Sequence, residues 1–524
     1  MGKISNILLV TFDQWRADHL SVSGHPALKT PKLDAFAADA VRFANHYTVT
    51  APCGPARASL LSGLYMSNHR VCRNGSPFDD RFTTLALELR KSGYDPALFG
   101  YTDITVDPRS RNPNDPIFDS YEGVLPGMTR LFQLDDDLTT WFSHLKKKGY
   151  PLPDRPFDIF RPRPGYPGSE GRGYSFSPPI YEAEDSDAAV LTDAVIDYID
   201  GRDDRPWFAH ATYIAPHPPW VVPEPYNARY NPAEMPKPVR ADTADGEAAI
   251  HPWLKHTIGS FADGKAMMTC VGKTHDPVTT DDAELAQLRA TYCGMINLVE
   301  DQFDRILTHL KKTGQYENTL IILTADHAEM LGDHWLFGKT GFHDEAFHIP
   351  LIIRDPRDEA APARGRVVDA FTESVDVMPT VLKTMGLPVP RQCDGLSLSD
   401  YLEGRDPSQW RDAVHWEFDF RDLANKRAET ELGIRSDECH LSVIKDENGK
   451  YVHFAALPAL FFDLQKDPRQ QNNLAQDAAS AGTVLNYAER LLQWRVMQSE
   501  RVMTYMRADG GIQTHADDRP GLTP

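Results

Sequence analysis

The stretch 48-TVTAPCGPARASLLSG-63 places a thiol, Cys53, two residues before Pro55 and four before Arg57. Pro55 suits the first turn of a helix through 55-PARASLL-61, because its φ is already helical and its missing N–H has no intrahelical partner there. Cys53 is therefore expected just before a helix N-terminus, where unpaired backbone N–H groups favour an anion. A lone cysteine is more often a small buried hydrophobe. Here the neighbours are Gly and Pro, and Arg57 follows within about one turn, so the thiol reads as part of an anion-binding turn.

Working outward, five short apolar runs read as buried parallel strands of an α/β sheet. They are 4-ISNILLVTF-12, 96-PALFGY-101, 207-WFAHATYI-214, 319-TLIILTA-325 and 350-PLIIRD-355. The first ends at Asp13, the second at Tyr101, the third at His217 and the fourth at Asp326-His327. In open parallel sheets ligands bind at the carboxyl ends of strands, so these residues can converge although they are distant in the chain. The plainer alternative is that each polar residue marks only where a strand stops.

Helical patterns fill the intervals at 33-LDAFAADAVRF-43, 83-TTLALELRKSG-93 and 283–314, the last long enough for two helices or one bent one. The segments 161–173 and 223–247, rich in turn residues, are expected as irregular excursions over the active-site face. Near 386-GLPVPRQCDG-395 the rhythm stops. Strands are then expected at 414–420, 440–455 (folded into a hairpin at Glu447-Asn448-Gly449) and 460–464, followed by a helix over 483–506 and an extended or flexible tail over 507–524. The expected fold is α/β. A large, mostly parallel sheet flanked by helices spans 1–390, and a smaller α+β subdomain with an antiparallel sheet, C-terminal helix and extended tail spans 391–524.

A chain of 524 residues exceeds one ordinary core. Its net charge of −20 argues against nucleic-acid or anionic-membrane partners. An acidic protein that binds an anion must build a local cationic pocket. Six cysteines spread singly resemble neither a disulfide scaffold nor paired metal ligands, and suit a reducing compartment. The run 3-KISNILLVTFDQW-15 lacks a signal-peptidase site, position 6 is Asn6 where myristoylation needs Ser or Thr, and no apolar run approaches the ~20 residues of a membrane span. A cytoplasmic protein is expected. Asp13, Asp326 and His327 are candidate ligands for a hard divalent cation, which prefers carboxylates and tolerates an imidazole. With a nucleophile at a helix start they point to metal-assisted group transfer.

The pattern C-x-P-x-R followed by 58-ASLLSG-63 resembles the sulfatase signature, whose cysteine is oxidised after translation to formylglycine. The order Asp13, Cys53, Asp326-His327 and Lys339 in 338-GKTG-341, with the closing 462-FDLQKDPRQQNNLA-475, is similar to the sulfatase branch of the alkaline phosphatase superfamily along essentially the whole chain. Within that branch, 51-APCGPARASLLSGLYMSNHR-70, 94-YDPALFGYT-102, 215-APHPPW-220, 290-ATYCG-294, 415-HWEFDFRD-422 and 450-KYVHFAALPALFFDL-464 resemble the phosphonate monoester hydrolases. So do Asp13-Gln14 and Asp326-His327, where typical sulfatases carry paired acids and Asp-Asn.

The resemblance implies hydrolysis of phosphonate monoesters and phosphodiesters, with promiscuous action on sulfate esters. It implies that Asp13, Asp326, His327 and the modified Cys53 hold one divalent metal, manganese or calcium, with Gln14 as a further ligand. Arg57 would hold the formylglycine and its helix start, Lys339 and His217 would meet the charged oxygens or leaving group, and Asn74 and Tyr101 would line the substrate pocket. The family has Thr two residues after that Tyr, where this chain has Asp103. A carboxylate there repels an anionic substrate unless it pairs with a cation. The implied partners are a small anionic ester, the formylglycine-generating machinery and further copies in a homotetramer. The rival readings are a dedicated aryl or choline sulfatase, a phosphotransferase, which would use Ser or Thr where Cys53 stands, and a non-catalytic anion-binding homologue, in which loss of metal ligands is expected.

Overall fold

The computed structural model describes residues 4–514 except 135, 203–204, 263–268, 271–272, 275, 500–503 and 505. An eight-stranded sheet is built from β1 (Asn6–Phe12), β2 (Val41–Tyr47), β3 (Ala97–Gly100), β4 (Thr129–Gln133), β5 (Phe208–Tyr213), β6 (Thr319–Ala325), β7 (Leu351–Arg354) and β8 (Val367–Glu373), in the order β8-β2-β7-β6-β1-β5-β3-β4. The central strands β1, β5 and β6 are buried at every position. That is why they read as continuous apolar runs and pair in parallel. Strands β4 and β8 occupy the sheet edges and carry exposed residues, so they lack the apolar run that revealed the others.

Two expectations are corrected. The run 350–355 is a strand, but β7 lies antiparallel to both β6 and β2. The connection from Ala325 to Leu351 holds only single-turn helices, Asp333–Trp335 and Asp344–Phe347, so the chain re-enters the sheet at the end it left rather than crossing over. The helix expected over 33–43 spans Pro31–Ala38 and gives way to β2, whose buried Val41 and Phe43 flank the less buried Arg42 with the period of a strand.

Helix α1 (Cys53–Ser62) begins at the thiol itself. The long pattern near 283–314 is one unbroken helix, α2 (Asp282–Lys312), capped by the Asp281 side chain, which accepts from Glu284 N–H at 2.8 Å. A four-stranded antiparallel meander runs through β9 (Val414–Asp419), β10 (His440–Lys445), β11 (Gly449–Phe454) and β12 (Leu460–Asp463). Its expected hairpin closes where Asp446 Oδ1 accepts from Asn448 and Gly449 N–H, each at 2.9 Å. Helix α3 (Ala481–Met497) packs Tyr487, Leu491 and Trp494 with Ile444, Tyr451 and Phe461. It stops short of the expected 506, and a small hairpin of Met506–Ala508 with Ile512–Thr514 follows. The tail beyond 514 lies outside the described residues.

By contact the chain forms two compact units: Met1–Ala44, Tyr94–Tyr101 and Thr129–Val367 in the first, and Asn45–Gly93, Thr102–Met128 and Val368–Pro524 in the second. No described helix is long and apolar enough to cross a membrane.

Candidate active site

In the first unit, sheet register creates the site. Phe12 of β1 lies opposite Ala325 of β6 in a parallel pair, so the next residues, Asp13 and Asp326, leave neighbouring strands at the same level. Both are buried, as is His327. Ligand atoms of these three lie within 4.8 Å of one another. Tyr101, the residue after β3, donates its hydroxyl to Asp13 Oδ2 at 2.6 Å. β3 can approach β5 this closely because Gly100 has no Cβ, which would stand 2.5 Å from Thr212 O.

His327 Nδ1–H donates to the Ala328 carbonyl at 3.1 Å. Its Nε2 therefore carries a lone pair, aimed at Asp13 Oδ1 at 3.6 Å and Asp326 Oδ2 at 3.8 Å. Burial pushes the His327 pKa down to about 4, so the ring is neutral at pH 7. A lone pair facing two carboxylates in a buried site is repulsive until a cation stands between them. The donor set of two oxygens and one imidazole fits a divalent metal, and a neutral His is the form that ligates.

Gln14 adopts a left-handed φ of 70° immediately after Asp13, an uncommon conformation for a residue with a Cβ. Its N–H donates to Asp326 Oδ1 at 3.2 Å. Its carbonyl accepts from the Tyr292 hydroxyl of α2 at 2.7 Å. The side-chain amide donates to Glu329 Oε2 and accepts from Lys339 Nζ at 2.7 Å. Gln14, read as a further metal ligand, thus uses its side-chain oxygen to hold an ammonium. Glu329 and Tyr292 were not among the sequence candidates. The signal for Glu329 was an acid two residues beyond His327. It is buried, accepts Leu331 N–H at 3.1 Å and Gly338 N–H at 2.6 Å, and so anchors the turn that carries Lys339. His217 is half-buried in the turn after β5, donates Nδ1–H to Pro218 O at 2.6 Å, and lines a small cavity with Phe160, Tyr181 and Asp187.

In the second unit, every residue of α1 is buried, including Cys53 and Arg57. Gly54 N–H donates to Asn74 Oδ1 at 2.9 Å. A Cβ on Gly54 would stand 2.5 Å from Asp103 O and 3.2 Å from Asn74 Cα, so only glycine fits behind the thiol. Asp103 is itself left-handed, with φ of 56°, and its carbonyl accepts from Gly75 N–H at 3.0 Å. Asn74 and Asp103, expected as substrate contacts, brace the turn that carries Cys53. The five described cysteines, Cys53, Cys72, Cys293, Cys393 and Cys439, are free thiols.

The sulfatase family model matches residues 5–387, and the model of the C-terminal part of N-sulphoglucosamine sulphohydrolase matches 332–497. The chain is 43% identical over 510 residues to the multifunctional alkaline phosphatase superfamily protein PehA of Trinickia caryophylli, covering 96% of this chain and 97% of that one. The crystal structure of the phosphonate monoester hydrolase of Agrobacterium radiobacter superposes with a TM-score of 0.92 at 44% identity, over 98% of this chain and all of that one. The phosphonate monoester hydrolase of Silicibacter pomeroyi gives 0.89 at 38% identity, covering 98% and 99%.

Proposed function

The chain belongs to the sulfatase family, and on that premise we propose that it is a metal-dependent hydrolase of phosphonate monoesters and phosphodiesters, with a secondary activity on sulfate esters. The observation that carries the metal-dependent chemistry is the neutral His327 lone pair aimed at Asp13 and Asp326. The substrate class is drawn from the likeness to phosphonate monoester hydrolases.

In this reading Asp13, Asp326 and His327 hold one divalent ion, Mn2+ or Ca2+, together with a formylglycine made from Cys53. The ion supplies Lewis-acid polarisation and charge neutralisation at the ester, and the formylglycine supplies the nucleophile. The Tyr101 hydroxyl fixes the orientation of Asp13. Gln14 holds Lys339 Nζ where its charge can offset that of a transferring phosphonyl or sulfuryl group. His217, its ring orientation fixed by the Nδ1–H bond to Pro218 O, is the residue assigned to the leaving oxygen. Arg57 is assigned to hold the formylglycine and its helix start, where helix N–H groups favour an anion.

Asn74 and Asp103 border the ester pocket. The same reading makes the enzyme a cytoplasmic homotetramer that depends on formylglycine-generating machinery, a setting that suits its free thiols.

The test is a panel of kcat/KM values for a phenylphosphonate monoester, a phosphodiester and an aryl sulfate, on metal-replete enzyme whose Cys53 peptide has been read by mass spectrometry. The expected result is the aldehyde mass at position 53 and the highest kcat/KM on the phosphonate. A dominant aryl sulfate activity would favour the dedicated sulfatase instead. An unmodified thiol in fully active enzyme would remove the formylglycine.

A further inference from the structure

A second cluster in the first unit has the chemistry of a metal site of another kind. His334, His343 and Glu345 each offer a ligand atom within 4.8 Å of the others. The His334 side chain is fully enclosed, and its Nδ1–H donates to Glu247 Oε1 at 2.8 Å. Glu247 is itself buried and fixed, since Oε2 accepts Ala241 N–H at 2.7 Å. In the neutral ring a carboxylate on Nδ1 sets the tautomer and leaves the lone pair on Nε2; burial opposes the charged ring, but Glu247, Glu345 and Asp333 hold the pKa above its usual value, so a metal ion binding there displaces a proton. That Nε2 makes no hydrogen bond and faces Glu345 Oε2 at 3.9 Å. Protonating it would not create a hydrogen bond, because the gap is too long. His343 stacks on His334 with ring centroids 3.7 Å apart and planes 13° from parallel. The backbone is left-handed at both His334 and Trp335, with φ of 51° and 56°.

We propose that His334, His343 and Glu345 form a second metal site, with Glu247 orienting His334, and that it takes a borderline divalent cation such as Zn2+ or Co2+. Two imidazoles and one carboxylate select that class over Ca2+ or Mg2+, which prefer all-oxygen cages. Ligands at about 2.1 Å in a tetrahedral set lie roughly 3.4 Å apart. Binding therefore draws Nε2 of His334 and Glu345 together by about half an ångström and turns His343 out of its parallel stack. Glu345 also borders a cavity of about 60 Å³ shared with Arg16, Asp18, Asp344 and His348. The cluster His19, His25 and Cys293 lacks these properties. There His25 Nδ1 accepts from Ala27 and Leu28 N–H, so the neutral ring carries its proton on Nε2 and has no lone pair to give. The proposed ligands bracket 338-GKTG-341, so the ion would close the loop that presents Lys339. That consequence rests on the functional reading above, whereas the binding does not.

The test is Co2+ reconstitution of the full-length protein, read by bound-metal stoichiometry and by the visible absorption of four-coordinate Co2+. Two equivalents are expected. Glu345→Gln and His343→Ala should each lose one equivalent and its visible band, while Asp13→Asn with Asp326→Asn should lose the other and keep that band. If His343→Ala fails to fold, Glu345→Gln decides. Unchanged stoichiometry in the folded Glu345 variant, or a single equivalent that vanishes in the Asp13/Asp326 variant, overturns the proposal. So does a cobalt-edge anomalous map of a saturated crystal with no peak between His334 Nε2 and Glu345.

Discussion

Asp13, Asp326 and His327 come from two strands far apart in the chain and meet through the register of a parallel pair, whereas Cys53, Gly54 and Arg57 come from one helix start braced by Asn74 and Asp103. The first group is electrostatically strained, with two carboxylates facing a lone pair in a buried pocket. The second is sterically tight, with a glycine that admits no Cβ. The contrast teaches that one region should respond to charge and metal, and the other to volume.

The largest expected effect tests the chemistry that joins them. Cys53→Ala should lower kcat by about 10⁴-fold or more while leaving the melting temperature close to that of the parent. A variant that kept substantial turnover would break the assignment of the helix start as the nucleophile. Asp326→Asn should cost more than about 100-fold in activity and show as lost metal occupancy, with recovery at high metal concentration. If occupancy were unchanged, the strand-end site would not be the metal centre.

Tyr101→Phe keeps the ring and removes the hydrogen bond to Asp13, so metal affinity should fall by about 10–100-fold. Equal loss in a variant of the cysteine turn would erase the contrast. The smallest effect belongs to volume. Gly54→Ala should cost about 1–3 kcal/mol of stability, measured by denaturant unfolding, because the atoms its Cβ meets are backbone atoms that cannot swing aside. An unchanged midpoint would show that the turn is looser than its geometry indicates.

The two regions also differ in how far they could be read beforehand. The thiol, proline and arginine of α1 are local, and the helix begins at Cys53, two residues ahead of the expected span 55–61. Asp13, Asp326 and His327 were legible as residues at strand ends, because buried strands announce themselves as apolar runs. What they touch was not. Gln14 reads like one more ligand until Lys339 is found on its side-chain oxygen, and Tyr101 reads like a pocket wall until its hydroxyl is found on Asp13. Glu329 is not legible in the sequence because an isolated acid beyond a ligand pair has no pattern of its own. The edge strands β4 and β8 are not legible in the sequence because exposed positions interrupt their apolar pattern. The helix expected at 33–43 failed where spacing compatible with a helix continued into a strand.

The sequence by itself determined the inventory: buried runs that must pair, a polar residue after each, and a thiol at a helix start flanked by small residues and an arginine. These are encoded in neighbours along the chain, through periodicity and the fixed φ of proline. Only the tertiary structure decided that Phe12 lies level with Ala325, that β7 runs antiparallel, that the His327 lone pair faces two carboxylates, and that Glu247 turns His334 toward Glu345. Register and ring orientation are set by the packing of segments distant in sequence, and no local pattern carries that information.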